Sequence, residues 1–191
     1  KGYEAHCWLF HQLGVSAVYA FSAVGAVDLD IPLAGELAFV VPHAFGRGLA
    51  ATTHSFGKLA LDVHPNMGEP FCPRLRAQLV QAIHDTGARA LDTGTYIYNG
   101  PDQFETDAEI RAVMNLYPDE PNRVVGMTAG PELALAKQMQ IPYAVVCSNA
   151  NYAQGRVAEQ VDHHAALANM GRATEKLLEI ARRVIELAAA E

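Results

Sequence analysis

Residues 100–132 read GPDQFETDAEIRAVMNLYPDEPNRVVGMTAGPE, and this stretch decides the fold. Its apolar run Val124-Val125-Gly126-Met127 predicts a buried strand over 123–127, and Thr128 closes the run with a hydroxyl. Ala129-Gly130-Pro131-Glu132 then opens a helix over 131–139, with proline in a first turn that needs no N–H. A strand that ends in Thr just ahead of a helix N-terminus is a place to hold an anion, because unpaired backbone N–H groups point there. Upstream, Thr106 and Glu109 have capping-box spacing, which puts Phe104 and Glu105 at the exposed start of a second helix, 106–117. An anion cradle beside an aromatic–acid pair suits a ligand with a phosphate and a flat heterocycle.

The same alternation extends in both directions. Residues 3–13 predict a helix stopped by Gly14, and residues 15–24 (VSAVYAFSAV) a buried strand stopped by Gly25. Residues 35–41 predict a strand ended by Pro42, and 43–72 a long loop without a clear period. Leu75, Leu79 and Ile83 recur every four residues in a helix over 73–86, capped by Gly87. Strands are expected over 90–98 and 141–148, and a long helix over 160–190, whose apolar stripe runs through Leu177, Ala181, Val184 and Ala188. Alternating strands and helices predict a single α/β domain over 1–191, a mixed, largely parallel sheet flanked by helices. Ligands in such sheets bind beyond the carboxyl ends of strands. Four candidate ends follow: Ser22-Ala23-Val24-Gly25, Asn99-Gly100-Pro101, Met127-Thr128 and Asn149-Ala150-Asn151.

Composition narrows the function. The 191 residues are 50% apolar and 18% charged, with a net charge of −7 and no run of more than two Lys or Arg. Nucleic-acid binding needs clustered cations and is disfavoured, whereas a small anion needs only local donors. No apolar run approaches the roughly 20 residues of a membrane span. The three cysteines, Cys7, Cys72 and Cys147, are far apart and form no CxxC, which fits buried reduced thiols in a cytoplasmic protein. His43, His54 and His64 show no metal-ligand spacing, so no metal site is expected.

The four strand ends, in their order, resemble the trimeric purine nucleoside phosphorylase and methylthioadenosine phosphorylase family across nearly the whole chain. The family's T/N-A-x-G phosphate turn is similar to Ser22-Ala23-Val24-Gly25, and its P-G-D-I strand to Ala34-Gly35-Glu36-Leu37. Its E-P-F-C-P segment appears as Glu69-Pro70-Phe71-Cys72-Pro73. Gly94-Thr95-Tyr96, with the segment from Gly100 through Phe104-Glu105-Thr106 to Glu109, resembles its G-T-Y…G-P-x-F-E-T-x-A-E. Residues 126–132 resemble its G-M-S/T-x-x-P-E turn.

The resemblance implies phosphorolysis of purine nucleosides to free base and ribose 1-phosphate, with inorganic phosphate as co-substrate and no other cofactor. It implies Ser22, the Ala23 backbone and Thr128 at phosphate, and Met127 and Phe104 against ribose and base. Glu105 would accept from purine N1–H, and Asn151 would meet N7 and the 6-substituent. Asn can both accept and donate, whereas family members that take 6-aminopurines carry Asp there; Asn151 therefore implies inosine or guanosine. His163 or His164 would reach the 5′-hydroxyl. A homotrimer or a dimer of trimers is implied, with His54 or Phe56 as the segment donated to a neighbouring site.

Three departures accompany the match. The family's Gly-rich phosphate loop and its Arg-x-His segment would precede Lys1, so an N-terminally incomplete domain is expected. The turn before Phe104 is one residue longer than the family's, an insertion able to displace Phe104 and Glu105. Pro42-His43 stands where an Asp-containing turn is usual. The alternatives are a 5′-methylthioinosine or methylthioadenosine phosphorylase with an apolar 5′ pocket, and a non-catalytic purine-binding member. A nucleoside hydrolase is disfavoured, since the chain has no Asp cluster for calcium.

Overall fold

The apolar runs become strands at Val18–Ala26 (β1), Ala38–Val40 (β2), Ala44–Arg47 (β3), Arg89–Leu91 (β4), Thr95–Tyr98 (β5), Arg123–Gly126 (β6) and Tyr143–Tyr152 (β7). Helices form at Tyr3–Gln12 (α1), Pro73–Asp85 (α2), Asp107–Leu116 (α3), Ala129–Gln138 (α4) and His163–Ala189 (α5). This is a computed structural model, and it describes residues 2–49, 54–100 and 103–190. Pro101 and Asp102 of the expected G-P-x-F turn, and part of the expected long loop, lie outside the described residues.

One mixed sheet holds all seven strands in the order β3-β5-β6-β1-β7-β2-β4. Four pairings are parallel (β1–β7, β2–β4, β3–β5, β5–β6) and two are antiparallel (β1–β6, β2–β7). The predicted class, an α/β fold with a mixed, largely parallel sheet, is the one observed.

At the expected strand over 35–41, Ala34–Glu36 is a 3-10 turn and the strand runs over Ala38–Val40. Two further expectations need correction, and they share a cause. Residues 43–72 hold a strand, β3, and a short 3-10 turn at Gly57–Leu59. Residues 90–98 are two strands instead of one, interrupted at residues 92–94. Ala38 pairs with Arg89 and Ala44 with Thr95, 51 positions apart in both cases. Between them Val41 N donates to Leu91 O at 2.9 Å and His43 N to Gly94 O at 3.0 Å. Two chain segments thus run side by side throughout and bend together where Pro42, lacking an N–H, cannot continue the ladder. The bend sends β4 to one margin of the sheet and β5 towards the other, so the sheet curls.

Helices cover both faces. On one, Val24, Tyr96, Leu133 and Val145 pack together, with Trp8 and Phe10 of α1 against them. On the other, Leu75, Leu79 and Ile83 of α2 meet Phe39, Val146 and Ile180 and Val184 of α5. The four-residue spacing of Leu75, Leu79 and Ile83 puts them on one helical face, and each is fully buried. Burial of each such side chain contributes about 1.5–3 kcal/mol. Gly87, at φ +74°, takes the left-handed conformation that ends α2. Among the described residues no helix is long and apolar enough to cross a membrane.

Candidate active site

β1, β5, β6 and β7 bring their ends together around a cavity of about 460 Å³. Ala23, Phe104, Glu105, Met127, Thr128 and Asn151 line it, as does His163. Ser22 lies just behind the wall, buried, with its Oγ 3.1 Å from Thr128 Oγ1. His164 is not among the lining residues; its exposed ring meets that of His163 edge-on. Eight of the nine predicted site residues are therefore at or directly behind one cavity.

The floor differs from the expected helix-end anion cradle. α4 starts at Ala129, two residues earlier than predicted, and Pro131 still falls in its first turn. Thr128 occupies the N-cap position with φ −119° and ψ −50°, and its side chain makes no cap hydrogen bond. The Tyr96 hydroxyl takes that place: Thr128 N and Ala129 N both donate to it, at 3.3 and 3.2 Å. Two of the N–H groups counted as open to an anion are thus already paired. Tyr96 reaches this position because Gly126 has no Cβ; one there would collide with the phenol oxygen. Burial, and secondarily the nearby Cys147, pushes the Tyr96 phenol up, so it stays a neutral hydroxyl.

The opposite wall rests on α3. Thr106 Oγ1 accepts from Glu109 N at 3.3 Å, and Glu109 Oε2 accepts from Thr106 N at 2.8 Å, completing the predicted capping box. That reciprocal pair fixes the chain where it delivers Phe104 and Glu105. The longer turn displaces neither residue from the cavity; it adds Gln103 to the wall instead. Glu105 is buried, and its Oε1 accepts from Gln154 N at 3.2 Å. Its Oε2 has no partner among the described residues.

β7 runs four residues beyond its predicted end, and a bulge separates two like side chains. The register against β1 jumps from Val24↔Asn149 to Gly25↔Asn151. Asn149 is locked: Oδ1 accepts from Ala26 N at 3.0 Å, and Nδ2 donates to Ile31 O and Pro32 O, both at 3.2 Å. Asn151 instead faces the cavity, with Nδ2 donating to Tyr152 O at 2.9 Å. A carbonyl can only accept, so this contact turns the Asn151 Oδ1 away as a free acceptor.

α5 closes the site. Asp162 caps it by accepting from Ala165 N at 2.8 Å. His163, Ala166, Leu167 and Met170 follow at helical spacing and face the cavity together. Tyr3 and Gln103 line the cavity without having been predicted, and Asn99 had been noted only as a strand end. Tyr3 carries no sequence signal of its own. Its ring lies edge-on to His6 and His54, and burial, then Glu132 and Tyr98, raises its phenol pKa.

The cysteines take no part. Cys147 is fully buried and burial pushes its thiol up; burial, then Glu132 and Glu4, pushes Cys7 up to about 12. His43 Nδ1 accepts from Gly94 N at 3.2 Å. His54 Nδ1 pairs with Glu4 at 2.9 Å, and the Phe56 ring packs 5.8 Å from Trp8, so both are engaged by α1 of their own chain.

The profile of the Phosphorylase superfamily matches residues 5–186. The chain is 36% identical over 153 residues to a Methanopyrus kandleri protein named "Probable S-methyl-5'-thioinosine phosphorylase", covering 80% of this chain and 57% of that protein. It is 32% identical over 193 aligned positions to the 6-oxopurine nucleoside phosphorylase of Pyrococcus furiosus, covering 97% of this chain and 70% of that protein. The crystal structure of Schistosoma mansoni methylthioadenosine phosphorylase with adenine superposes with a TM-score of 0.85 at 22% identity, over 100% of this chain and 72% of that one, a likeness of fold. The chain thus spans a little over half the length of the first relative.

Proposed function

Because the chain belongs to the Phosphorylase superfamily, we propose that it splits the N-glycosidic bond of 6-oxopurine nucleosides with inorganic phosphate. A phosphate oxygen attacks C1′ from the face opposite the base, and the C1′–N9 bond breaks. Its electron pair goes to the purine, and the products are ribose 1-phosphate of inverted configuration and free base. The carrying observation is that one cavity is lined by the Thr128 hydroxyl, with Ser22 Oγ 3.1 Å behind it, together with the Glu105 carboxylate and the Asn151 amide. The unprotonated oxygens of phosphate accept, which suits Ser22, Thr128 and the Ala23 backbone. Met127 and Phe104 supply the apolar contact for sugar and base. Glu105 Oε2 accepts from purine N1–H, and Asn151 Oδ1 accepts from N7 once it is protonated. These bonds strengthen as negative charge gathers on the leaving base, so they favour the transition state over bound substrate. Phosphate is a co-substrate, and the reaction asks for no further cofactor.

His163, on the cavity face of α5, is the donor for the 5′-hydroxyl. A second reading, a 5′-methylthioinosine substrate, draws on Ala166, Leu167 and Met170 beside it. The active assembly in this proposal is a homotrimer or a dimer of trimers. Leu49, Leu59, Leu61 and Val63, between 49% and 66% exposed, supply apolar surface for it. The compartment is the cytoplasm, where free thiols persist.

Purine release from inosine, 5′-methylthioinosine and adenosine, with and without phosphate, tests this. Phosphate-dependent hypoxanthine from inosine is expected. A methylthioinosine preference replaces the 5′-hydroxyl assignment and keeps Asn151. Release that ignores phosphate, or none from folded protein, removes the phosphorylase reading.

A further inference from the structure

We infer that Asn169 of α5 is a positioning residue for the Asn151 amide: its side chain holds the β7 bulge that turns Asn151 into the cavity. The inference rests on the role at the base proposed above for Asn151.

The bulge inserts one residue. Val24 is matched to Asn149 and Gly25 to Asn151, so Ala150 has no counterpart in the β1 register. Such an insertion breaks the ladder locally, and Ala150 is buried, where a carbonyl without a partner is costly. The pairing of β2 with β7 covers Cys147 and Ser148 and does not reach this point. The Ala150 carbonyl accepts from Asn169 Nδ2 at 2.7 Å.

The insertion decides where Asn151 points. In an unbroken strand residues 149 and 151 share a face. Here they are matched to Val24 and Gly25, successive residues whose side-chain directions are opposite. Asn151 follows the Gly25 direction: a Cβ added at Gly25 would lie 3.2 Å from Asn151 Nδ2. Removing the bulge would return Asn151 to the face on which Asn149 is locked.

Asn169 is itself oriented. Its Oδ1 accepts from Arg172 Nη2, and a guanidinium only donates, so Nδ2 is the half of the amide left for Ala150. Arg172 in turn lies across Gly35, where an added Cβ would come 2.9 Å from its Nε. Asn169 does not line the cavity; it acts on the ligand through the strand it holds.

The test uses the full chain carrying Asn169→Ala, Asn169→Asp, Asn151→Ala, or Asn151→Ala with Asn169→Ala. It reads kcat/KM for inosine and the Michaelis constant for phosphate. Asn169→Ala should lower kcat/KM by about tenfold, the loss of one hydrogen bond, and leave the phosphate constant within about twofold. Asn169→Asp keeps the size and the Arg172 partner but has no proton for Ala150, so it should lose at least as much. In the Asn151→Ala background Asn169→Ala should change kcat/KM by less than about twofold, because the group it positions is gone. A residue that merely anchors α5 would give a loss that persists in that background, a raised phosphate constant, or a near-normal Asn169→Asp, and any of these overturns the inference. If Asn169→Ala does not fold, a wild-type kcat/KM in Asn169→Asp still overturns it. An inactive wild type, or a fully active Asn151→Ala, removes the proposed function and this inference with it. An impaired Asn151→Ala beside silent Asn169 variants removes this inference alone.

Discussion

At the β6 end of the cavity the polar atoms are held by one another: Ser22 to Thr128, and the backbone of Thr128 and Ala129 to Tyr96. Around Phe104, Glu105, Asn151 and His163, where the proposed function puts the base and the 5′ group, the side chains stand on a turn, a strand bulge and a helix start. Phe104 is 37% exposed there and Leu167 56%. Under the proposed function, the contrast separates what every substrate shares from what distinguishes one substrate from another. The proposed phosphate contacts belong to the sheet and its helix junction, where changing them costs stability. The proposed base and 5′ contacts sit where side chains can change with little effect on the core.

The strongest way to break this division is Glu105→Ala. It should lower kcat/KM by two to three orders of magnitude, about 3–4 kcal/mol of transition-state stabilisation, while costing about 1 kcal/mol of stability for the lost Gln154 contact. Steady-state rates beside urea unfolding would check both halves. Next comes the asparagine pair. Asn149→Ala strands Ala26 N and the Ile31 and Pro32 carbonyls and should cost about 2–3 kcal/mol in unfolding free energy. Asn151→Asp should leave the urea midpoint nearly unchanged and move the inosine-to-adenosine kcat/KM ratio about tenfold towards adenosine. Equal stability losses for the two would end the distinction between locked and ligand-facing amides.

His163→Ala should raise the inosine KM by about fivefold, the loss of one hydrogen bond; His164→Ala should leave it alone. The smallest effect lies outside the cavity, at Glu4. Its hydrogen bond from His54 holds the Glu4 carboxyl below its ordinary value of 4.5. A lowered folded pKa means stability present above that ordinary value and lost as pH falls through the folded one. The Glu4 side chain is 46% exposed, so the contribution is a few tenths of a kcal/mol. Thermal melts of Glu4→Gln should lie just below wild type at pH 7 and converge with it near pH 3.

Much of this was legible in the sequence because the signals are local. Thr106 and Glu109 announce their own capping box, and Leu75, Leu79 and Ile83 announce the buried face of α2. The larger misreadings are long-range. β3 is the four-residue AFGR, which gains a ladder only by lying beside Thr95–Tyr98. The break at residues 92–94 follows from Pro42, fifty positions earlier. The Tyr96 hydroxyl took the α4 N–H groups because Gly126, in a neighbouring strand, leaves room for it. Gly126 lies two residues from Thr128, but the phenol it admits comes from 32 positions away, outside any local window.

The paired bend of residues 38–47 and 89–98 has a consequence beyond the site. Each segment is interior to the sheet over half its length and marginal over the other half. The two ends of the strand order are therefore the four residues of β3 and the three of β4. Margins that short offer little template for another chain to add a strand. At these two margins, edge-to-edge pairing with another chain is disfavoured.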